Sequence, residues 1–504
     1  MDDCEQEGVT TMNDPEESGA CEAGTGEGGV VASAVGRECI ITGCHDFQHA
    51  TAREGTHSLE EPHSVSVGTP FEGKVIRSYS SAQSLHLFVH TTNGLYSMGK
   101  NFHGQCGTND TANKTEPTWC VNLPFDAADI VKIVTGKFHS IVLTKGGDVY
   151  GCGQNTCGQL GLGDKSSLKD FHTFTKISSL TGVVDVAAGE FHSLACTAAG
   201  TLYSWGHPDA GSLGNGTDGR FIEKAGKISF HYRCTPEAVH LFVQKDNKNK
   251  RVEDYPFIFV TSVAAGKQHS GCIERREDGG RVFTWGCGGY GRLGHATAND
   301  ELFPREIVPF TYDKNENPGN MCATLVLGNT ASCGINHDGA LFFWGILPNS
   351  PRGEATMYPK YIPELLDFDI EGVVLGSSFI VANVGDGEYY IWGKPVAGRL
   401  GFAGGGKTSS KPVPMDAVDQ YTRVTGVSAG YGHLTFDVEG PAEVISSLPI
   451  LPVLPVEVPK PPHKPGQKKG GVGKASAAAA KGGVKKGKKA ASWGAAESAG
   501  DDFY

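Results

Sequence analysis

A frame of glycines around one histidine recurs along the chain, and this repetition limits the fold more than any other feature of the sequence. The clearest copy begins Gly136-Lys-Phe-His139 and has further glycines eight and fourteen residues after the histidine, at Gly147 and Gly153. Equivalent anchor positions recur seven times, at residues 86, 139, 192, 269, 331, 379 and 433. The repeat unit is therefore roughly 50 residues long, with insertions in some copies.

A second signature, Gly-x4-Gly-x-Leu-Gly, follows most of these anchors and begins at Gly153, Gly206, Gly286 and Gly393. Between the two signatures, the runs "HSIVLT" and "DVYGC" flank a Lys-Gly-Gly turn, which predicts a β-hairpin. A second pair of strands fits in the rest of each unit. Four strands per unit, repeated seven times, predict an all-β fold, a seven-bladed β-propeller.

The two ends of the repeat region complement each other. The last unit stops at Gly440 without its third strand, which in other units ends in an aromatic residue and a glycine. A segment that fits this strand, Gly36 to Gly43, precedes the first unit. We therefore expect the propeller to be closed by pairing of N- and C-terminal strands in the last blade, because this hides both sheet edges.

Charge divides the chain into three regions. Residues 1–36 carry nine acids and no Lys or Arg, residues 459–490 carry ten lysines and no acid, and the net charge of the whole chain is −12. We predict an acidic disordered arm at 1–36 and a propeller at 37–440 with an insertion at about 220–258. Residues 441–504 are predicted to form a Pro-rich linker and a disordered basic tail rich in Lys, Gly and Ala.

The sequence lacks the features of several other protein classes. The opening residues have no basic segment followed by an apolar core, which predicts no secretory signal. The apolar segment 444–458 contains three prolines and is too short to span a bilayer. The 14 cysteines include no Cys-x-x-Cys pair, which favours reduced, packed thiols. We expect a soluble, intracellular, monomeric protein.

Candidate metal, nucleotide and catalytic sites have structural explanations. The repeat histidines fall once per blade instead of converging as a tetrahedral metal site requires, so we interpret them as hydrogen-bonding residues and expect no metal. These structural histidines are His86, His139, His192, His269 and His433. The segment "GFAGGGKT" at 401–408 has the letters of a phosphate-binding loop, but Pro412 and Pro414 forbid the helix that such a loop opens. No catalytic set stands out, and we expect no cofactor.

The repeats resemble the regulator of chromosome condensation repeat family, whose pattern reads roughly G-x-x-H-S-x-x-L-T-x-x-G-x-[VL]-[YF]-x-W-G-x-x-x-x-G-Q-L-G. Two segments, "SWGHPDAGSLGNGTDGRFIEKAGKISF" at 204–230 and "VFTWGCGGYGRLGHATANDELFPREIVPF" at 282–310, resemble the telophase disc protein branch of that family. The resemblance implies a propeller that serves as an interaction platform. It also implies a partner among small GTPases of the Ral, Rac, Arf or Ran type.

The same resemblance implies positions that contact the partner. In the founding branch, polar residues just before the repeat histidine face the GTPase. The matching positions in this chain are Phe138, Phe191, Gln268, Thr330 and Ser378. Phe138 and Phe191 depart from that polar surface, which argues against exchange on Ran itself.

The basic tail has the composition of segments that neutralise phosphates without reading bases. Its candidate polyanion-binding residues are Lys468, Lys469, Lys481, Lys485, Lys486, Lys488 and Lys489. The tail binds chromatin, RNA or the acidic tubulin surface in one interpretation. It acts only as a nuclear localisation signal, or is merely solvated, in the others.

Two functional hypotheses follow. In the first, the protein regulates a small GTPase, as a guanine nucleotide exchange factor, and associates with chromosomes or microtubules. It would then be nuclear and chromosome- or spindle-associated, with a cytoplasmic pool. In the alternative, it is a non-catalytic propeller scaffold that its basic tail tethers to nucleic acid or another polyanion.

Overall fold

The computed structural model describes most of the repeat region and little beyond it. The described residues are 35–44, 58–65, 74–163, 168–224, 226–246, 248–275, 280–308, 321–347, 355–394 and 409–452. All of them belong to one compact unit, Met1–Pro455, and the second unit, Val456–Tyr504, lies outside the described residues. The acidic arm before Val35, the segment 401–408 and the basic tail also lie outside them.

The strands are numbered β1 to β32 in chain order. The first sixteen are β1 (Val35–Cys44), β2 (Ser58–Ser64), β3 (Val75–Tyr79), β4 (His86–Thr91), β5 (Gly94–Gly99), β6 (Lys114–Trp119), β7 (Ile130–Thr135), β8 (His139–Thr144), β9 (Val149–Gly153), β10 (Phe171–Lys176), β11 (Val183–Ala188), β12 (His192–Thr197), β13 (Leu202–Gly206), β14 (Arg220–Ile222), β15 (Ile228–Phe230) and β16 (Arg233–Ala238).

The remaining sixteen continue the same alternation of short strands and turns. They are β17 (Phe242–Lys245), β18 (Arg251–Tyr255), β19 (Val260–Ala265), β20 (His269–Glu274), β21 (Val282–Gly286), β22 (Glu301–Glu306), β23 (Cys322–Leu327), β24 (Ala331–Asn336), β25 (Leu341–Gly345), β26 (Thr356–Tyr361), β27 (Gly372–Leu375), β28 (Phe379–Asn383), β29 (Tyr389–Gly393), β30 (Ser409–Pro414), β31 (Arg423–Ala429) and β32 (His433–Pro441).

These strands form seven blades, each built on four antiparallel strands, which confirms the predicted seven-bladed propeller. Blades 1 and 2 are β3 to β6 and β7 to β10, and blade 3 is β11, β12, β13 and β16. Blades 4, 5 and 6 are built on β19 to β22, β23 to β26 and β27 to β30. Blade 7 combines β31 and β32 with β1 and β2, so the first strand of the structure lies in the last blade.

Strand β1 closes the propeller, as the sequence predicts. It pairs antiparallel with β32 from Val35 opposite Pro441 to Gly43 opposite His433. Ile40 and Ile41 of β1 are both buried but belong to different hydrophobic clusters, one with blades 6 and 7 and the other with blade 1. The closing strand therefore packs against both neighbours of the last blade.

The chain after β32 continues to pack against the propeller. Helix α1 (Ala442–Ser446) follows directly, and Leu448 and Leu451 are buried in the clusters of blades 7 and 1. Short 3₁₀ turns occur at Ala127–Asp129, Asp209–Gly211, Gly289–Gly291, Pro363–Leu365 and Asp416–Val418. None of the helices in the described ranges is both long and apolar enough to span a membrane.

The segment at about 220–258, which the sequence indicates as one insertion, is divided by a strand of blade 3. Strand β16 lies inside this segment because β13 needs an outer partner, with Tyr203 opposite Ala238. The hairpin β14–β15 precedes β16, and the hairpin β17–β18 follows it and extends blade 4 to six strands through β22. The single insertion is therefore corrected to two hairpins.

The hydrophobic core lies between blades. The second strand of blades 1 to 5 is buried along its whole length, as in β8, because it has neighbours on both faces. One cluster, for example, joins Phe88 and Leu95 of blade 1 to Ile133 and Val142 of blade 2. Burial of such apolar surface between repeated units is what holds a repeat fold together.

Candidate protein-interaction face

Two sets of loops lie at the same end of every blade. Because successive strands are antiparallel, the loop from the first to the second strand and the loop from the third to the fourth strand emerge on one side of the propeller. We call this side the long-loop face. The residues just before each repeat histidine lie in the first of these loops, and the Gly-x4-Gly-x-Leu-Gly signature lies in the second.

The repeat histidine joins its blade to the next one. His139 Nε2 lies 3.0 Å from Ser193 Oγ in blade 3, and the serine hydroxyl donates to the Gln159 carbonyl at 2.8 Å. Since that hydroxyl proton is already used, the neutral imidazole donates its Nε2–H to the serine. The same contact joins His86 to Ser140 (2.7 Å), His192 to Ser270 (2.9 Å) and His269 to Ser332 (3.1 Å).

The imidazole fits because the first residue of the motif is glycine. A Cβ at Gly136 would lie 2.1 Å from His139 Cε1, which no side chain can do without moving the ring. A Cβ at Gly189, Gly266 or Gly430 would lie 2.0 to 2.2 Å from Cε1 of the histidine in the same repeat. The spacing Gly-x-x-His is therefore a packing requirement of the ring.

The second signature carries the other half of the junction. The Gln159 carbonyl, inside that signature in blade 2, also accepts the Trp205 Nε1–H of blade 3 at 2.9 Å. Gly161, with a φ of +66°, approaches so closely that a Cβ would lie 2.9 Å from Trp205 Nε1. In the same way, the Ser212 carbonyl accepts the Trp285 Nε1–H, and the Arg292 carbonyl accepts the Trp344 Nε1–H. The signature is thus a connector between blades as well as a turn.

Burial keeps these histidines uncharged. It lowers the pKa of His86, His139 and His192 from 6.5 to about 3, and that of His269 to well below 6.5. A protonated ring would place a charge in the blade junction, where burial disfavours it. Across the described residues, no group of three or more His, Cys, Asp or Glu is placed to hold a metal.

Three of the seven junctions are built differently. At the positions of the joining serine, blades 6, 7 and 1 have Ile380, Leu434 and Leu87, and the histidine position of blade 5 is Ala331. His433 therefore faces a blade without the serine. Between blades 7 and 1, the buried Asp437 Oδ2 instead accepts the Ser78 N–H at 2.8 Å.

Aromatic side chains form a continuous strip on the long-loop face of blades 1 to 3. The strip consists of His103, Phe138, Phe191 and His207, whose ring centroids are 5.1, 6.3 and 6.4 Å apart in that order. All four rings are partly exposed. The strip therefore contains both phenylalanines of the candidate partner-binding set.

Charged groups cross the strip at its centre. Lys137 Nζ lies 5.4 and 5.5 Å from the ring centroids of Phe138 and Phe191, and 2.9 Å from Glu190 Oε1. Lys267 Nζ of blade 4 lies 4.0 Å from Glu190 Oε2. The backbone is fixed at the same place, because Lys137 N–H donates to the Glu190 carbonyl and Glu190 N–H donates to the Lys267 carbonyl.

The remaining candidate positions differ in what they offer a partner. Gln268 is partly exposed, and its amide Nε2 lies 3.4 Å from Asp209 Oδ2. Thr330 uses its hydroxyl to donate to the Ile346 carbonyl. Ser378 is a correction to the predicted set: it is only 5% exposed, because the loop of blade 6 packs it beneath the surface.

The hairpin β14–β15 extends the strip at its blade 3 end. Phe230 lies 4.4 Å from His207 between ring centroids, and Arg220 Nη2 lies 2.8 Å from Asp209 Oδ1. At the far end of the hairpin, Ile222 and Ile228 are paired across the strands and are 77% and 60% exposed. The hairpin thus presents apolar side chains on the long-loop face.

The structure gives less information about the central channel, the segment 401–408 and the tail lysines. A central channel of about 530 Å³ is lined by the first strands of all seven blades, including Arg77, Lys132 and Asp185. The segment 401–408 lies outside the described residues, and β30 begins directly after it as a strand rather than a helix. The seven tail lysines also lie outside them.

Sequence reasoning missed half of the site. It did not find the joining serines, the accepting carbonyls, or the roles of Lys137, Glu190 and Lys267. Part of the signal was present, since a serine directly follows the histidine at 139, 192 and 269. The ion pairs had no such signal, because their members come from neighbouring repeats whose alignment in space depends on the fold.

The fold and the face together define a repeat-built propeller with a preformed interaction surface. Two models of the "Regulator of chromosome condensation (RCC1) repeat" match the chain, one at residues 93–143, 146–196 and 279–318, the other at 130–159 and 183–212. Protein RCC2 from Homo sapiens is 32% identical over 393 residues, covering 77% of this chain and 71% of the relative. The Danio rerio homologue is 32% identical over 413 residues, covering 80% and 79%. The chain therefore belongs to the regulator of chromosome condensation repeat family, in the branch of RCC2.

Solved structures agree on the fold. Human WBSCR16 superposes with a TM-score of 0.61 at 21% identity, covering 80% of this chain and 99% of that one. Prp20p from Saccharomyces cerevisiae superposes with a TM-score of 0.60 at 18% identity, covering 82% and 93%, and its structure was described together with its binding to Gsp1p and histones. At these identities the likeness concerns the propeller alone.

Proposed function

We propose that the long-loop face binds a small GTPase of the Ral, Rac, Arf or Ran type and promotes release of its nucleotide. The observation that carries this proposal is the aromatic strip, whose two phenylalanines, Phe138 and Phe191, directly precede repeat histidines. Aromatic side chains on a rigid scaffold are the residues that most often dominate a protein interface. The relative Prp20p, which binds the Ran-type GTPase Gsp1p, supports the class of partner.

Exchange of this kind needs no covalent chemistry. A surface that binds the nucleotide-free GTPase more tightly than the loaded one lowers nucleotide affinity by the same factor, because the two equilibria are linked. The hydrogen-bonded loops of blades 2 to 4 suit such a role. Their geometry is fixed before binding, so little conformational entropy is lost when the partner docks.

The decisive experiment is nucleotide release. Candidate GTPases are loaded with fluorescent GDP, and release is followed after addition of the full chain. We expect faster release from one GTPase and tight binding to its nucleotide-free form. Phe138→Ala and Phe191→Ala should each weaken binding by at least about tenfold, as for buried aromatic anchors.

Phe257→Ala provides the matched control. Phe257 is 61% exposed and precedes β19, on the side of the propeller opposite the long-loop face. Its substitution should leave both measurements unchanged. If no GTPase releases nucleotide faster and none binds in its nucleotide-free form, the proposal fails and the scaffold hypothesis remains.

We further propose that the basic tail tethers the protein to chromosomes or microtubules, and that the protein is nuclear with spindle and cytoplasmic pools. The support is the segment 459–490, which contains ten lysines. Binding of these lysines to a polyanion releases counterions, so the affinity depends on salt. Deletion of 459–504 should weaken binding to DNA and to microtubules and flatten its dependence on salt. An unchanged salt dependence would show that the tail is not the contact.

A further inference from the structure

The centre of the aromatic strip holds two ammonium groups and one carboxylate. Glu190 is only 8% exposed, and both of its carboxyl oxygens point toward lysines of neighbouring blades, Lys137 and Lys267. The two contacts are unequal. The distance of 2.9 Å to Lys137 Nζ is a hydrogen-bonded ion pair, whereas 4.0 Å to Lys267 Nζ is too long for a hydrogen bond.

Lys267 is consequently the under-neutralised group of this cluster. Its side chain is 46% exposed at the edge of the phenylalanine pair, and Glu190 is already engaged by Lys137. The carboxylates on either side have other partners, since Asp209 forms an ion pair with Arg220 and Asp170 Oδ2 lies 2.7 Å from His103 Nδ1. The cluster therefore keeps one positive charge in excess beside an apolar surface.

The backbone that carries Lys267 is fixed before any partner arrives. The Lys267 N–H donates to the Gly328 carbonyl at 3.0 Å, and the Lys267 carbonyl accepts the Glu190 N–H at 3.1 Å. Loops of blades 3, 4 and 5 are joined by these bonds. A charge held in this way costs less entropy to use in recognition than a lysine on a mobile loop.

We propose that this corner of the long-loop face recognises an acidic side chain that the partner presents next to an apolar one. The partner's carboxylate binds Lys267 while its apolar neighbour lies on Phe138 and Phe191. Glu190 is then a specificity-determining residue, because it competes with the incoming carboxylate for the same ammonium groups. This inference rests on the proposed function in taking the long-loop face as the docking surface.

A single carboxylate fits the cluster better than a polyanion does. A chain of phosphates would bring several negative charges to a cluster that has only one positive charge in excess. A purely apolar segment would leave the surplus charge of Lys267 desolvated and unpaired. An acidic residue beside an apolar residue satisfies both parts of the surface.

The first test uses matched peptides, so that it does not depend on a GTPase. Saturation transfer from the full chain is measured to the methyl groups of acetyl-Leu-Asp-Leu-amide and of its Asn counterpart. We expect the Asp peptide to give the stronger signal, Lys267→Glu to abolish the difference, and Glu190→Gln to increase it. Lys145→Glu, at an exposed lysine on the opposite side of blade 2, should have no effect.

Equal signals from the two peptides, or a difference that survives Lys267→Glu, would overturn the inference. So would a short oligothymidylate that binds in the same Lys267-dependent way, since it would mark a polyanion site. Circular dichroism and thermal melting check that the variants fold. If Glu190→Gln does not fold, the exposed Lys267→Glu variant still decides the matter.

The second test uses the GTPase that binds the full chain most tightly in its nucleotide-free form. Lys267→Glu should lower its association rate by about tenfold at low salt, and Glu190→Gln should raise it, with a steeper salt dependence. A GTPase that binds but ignores both substitutions would refute this inference and leave the proposed function standing. If the peptide effects occur without any GTPase binding, the proposed function fails and the acidic-residue site stands.

Discussion

At the scale of single residues, the repeat histidine is a neutral hydrogen-bond donor enclosed by its own motif. Gly136 provides the space for the ring, and the serine of the next blade receives its Nε2–H. Neither contact involves solvent, since His139 and Ser193 are buried. The strength of the junction therefore depends on the His139 Nε2–H and the Ser193 hydroxyl keeping their partners.

Removal of one joining serine should show this dependence. Ser193→Ala leaves the His139 Nε2–H without an acceptor, and the Gln159 carbonyl loses one of its two donors. We expect the free energy of unfolding to fall by about 1–3 kcal/mol, the usual cost of an unsatisfied buried group. Urea unfolding measures it, with the exposed Ser179→Ala as a control that should stay within about 0.5 kcal/mol.

The same histidines predict how stability depends on pH. Their folded-state pKa values of about 3 lie below the unfolded value of 6.5, so the unfolded chain binds protons first. Their contribution to stability is complete above pH 6.5 and is lost as the pH falls toward 3. Unfolding in urea between pH 7.5 and 5 should show this loss, by up to about 1.4 kcal/mol per pH unit for each histidine.

The contribution of one histidine can be isolated. His139→Gln replaces a titrating ring with a neutral amide, so the variant should be less stable at neutral pH but lose less stability on acidification. A variant with the same slope as the original chain would show that folding does not lower the pKa of His139. The carboxylates that also titrate are common to both proteins and cancel in the comparison.

At the scale of elements, the connector between the third and fourth strands does more than turn the chain. It delivers a carbonyl to the serine and tryptophan of the next blade and places a glycine against the tryptophan ring. A glycine in this connector is therefore required for two reasons, its positive φ and its closeness to the neighbouring blade.

Gly161→Ala tests the connector. The alanine would have to adopt a φ near +66°, and its Cβ would lie 3.0 Å or less from Trp205 and Pro236. We expect a loss of more than about 1 kcal/mol in unfolding free energy, from backbone strain and overpacking together. Gly146→Ala is the matched control in the same blade, since no atom lies within 4 Å of its Cβ position. Equal losses from the two substitutions would contradict the role assigned to the connector.

The hairpins show where sequence patterns are insufficient. The glycine and histidine spacing predicts each blade because it records contacts within one unit and its neighbour. It does not show that β16 divides the long insertion, because the short runs at 220–222, 228–230 and 233–238 carry no motif that ranks one of them as the blade strand. The choice is made by pairing with β13, which is a tertiary effect.

At the scale of the whole molecule, closure by β1 is the feature that holds the first and last blades of the propeller together. Ile40 contacts the cluster of blades 6 and 7, and Ile41 contacts that of blade 1. Closure was predictable from the missing strand of the last repeat. The contacts between blades 5 and 6, 6 and 7, and 7 and 1 were not predictable, because the sequence has no recognisable motif in place of the missing histidine or serine.

Truncation of the closing strand should weaken this region selectively. Ile40→Ala and Ile41→Ala each remove a fully buried side chain, at an expected cost of about 2–5 kcal/mol. Hydrogen exchange should accelerate first in β1, β31 and β32, whereas Val35→Ala, at an exposed position of the same strand, should change little. Uniform acceleration over all seven blades would instead indicate that the ring opens only as a whole.

The pairing of β1 with β32 also sets an order of events during synthesis. Residues 35–44 leave the ribosome first among the blade strands, yet their partner, at 433–441, is made almost last. Until then, β2 is the only partner of β1 that has been made, and the edge of β1 that pairs with β32 remains available for wrong pairings. The final blade therefore cannot form until the rest of the propeller has been translated, and until then the first strand lacks the partner that closes the ring.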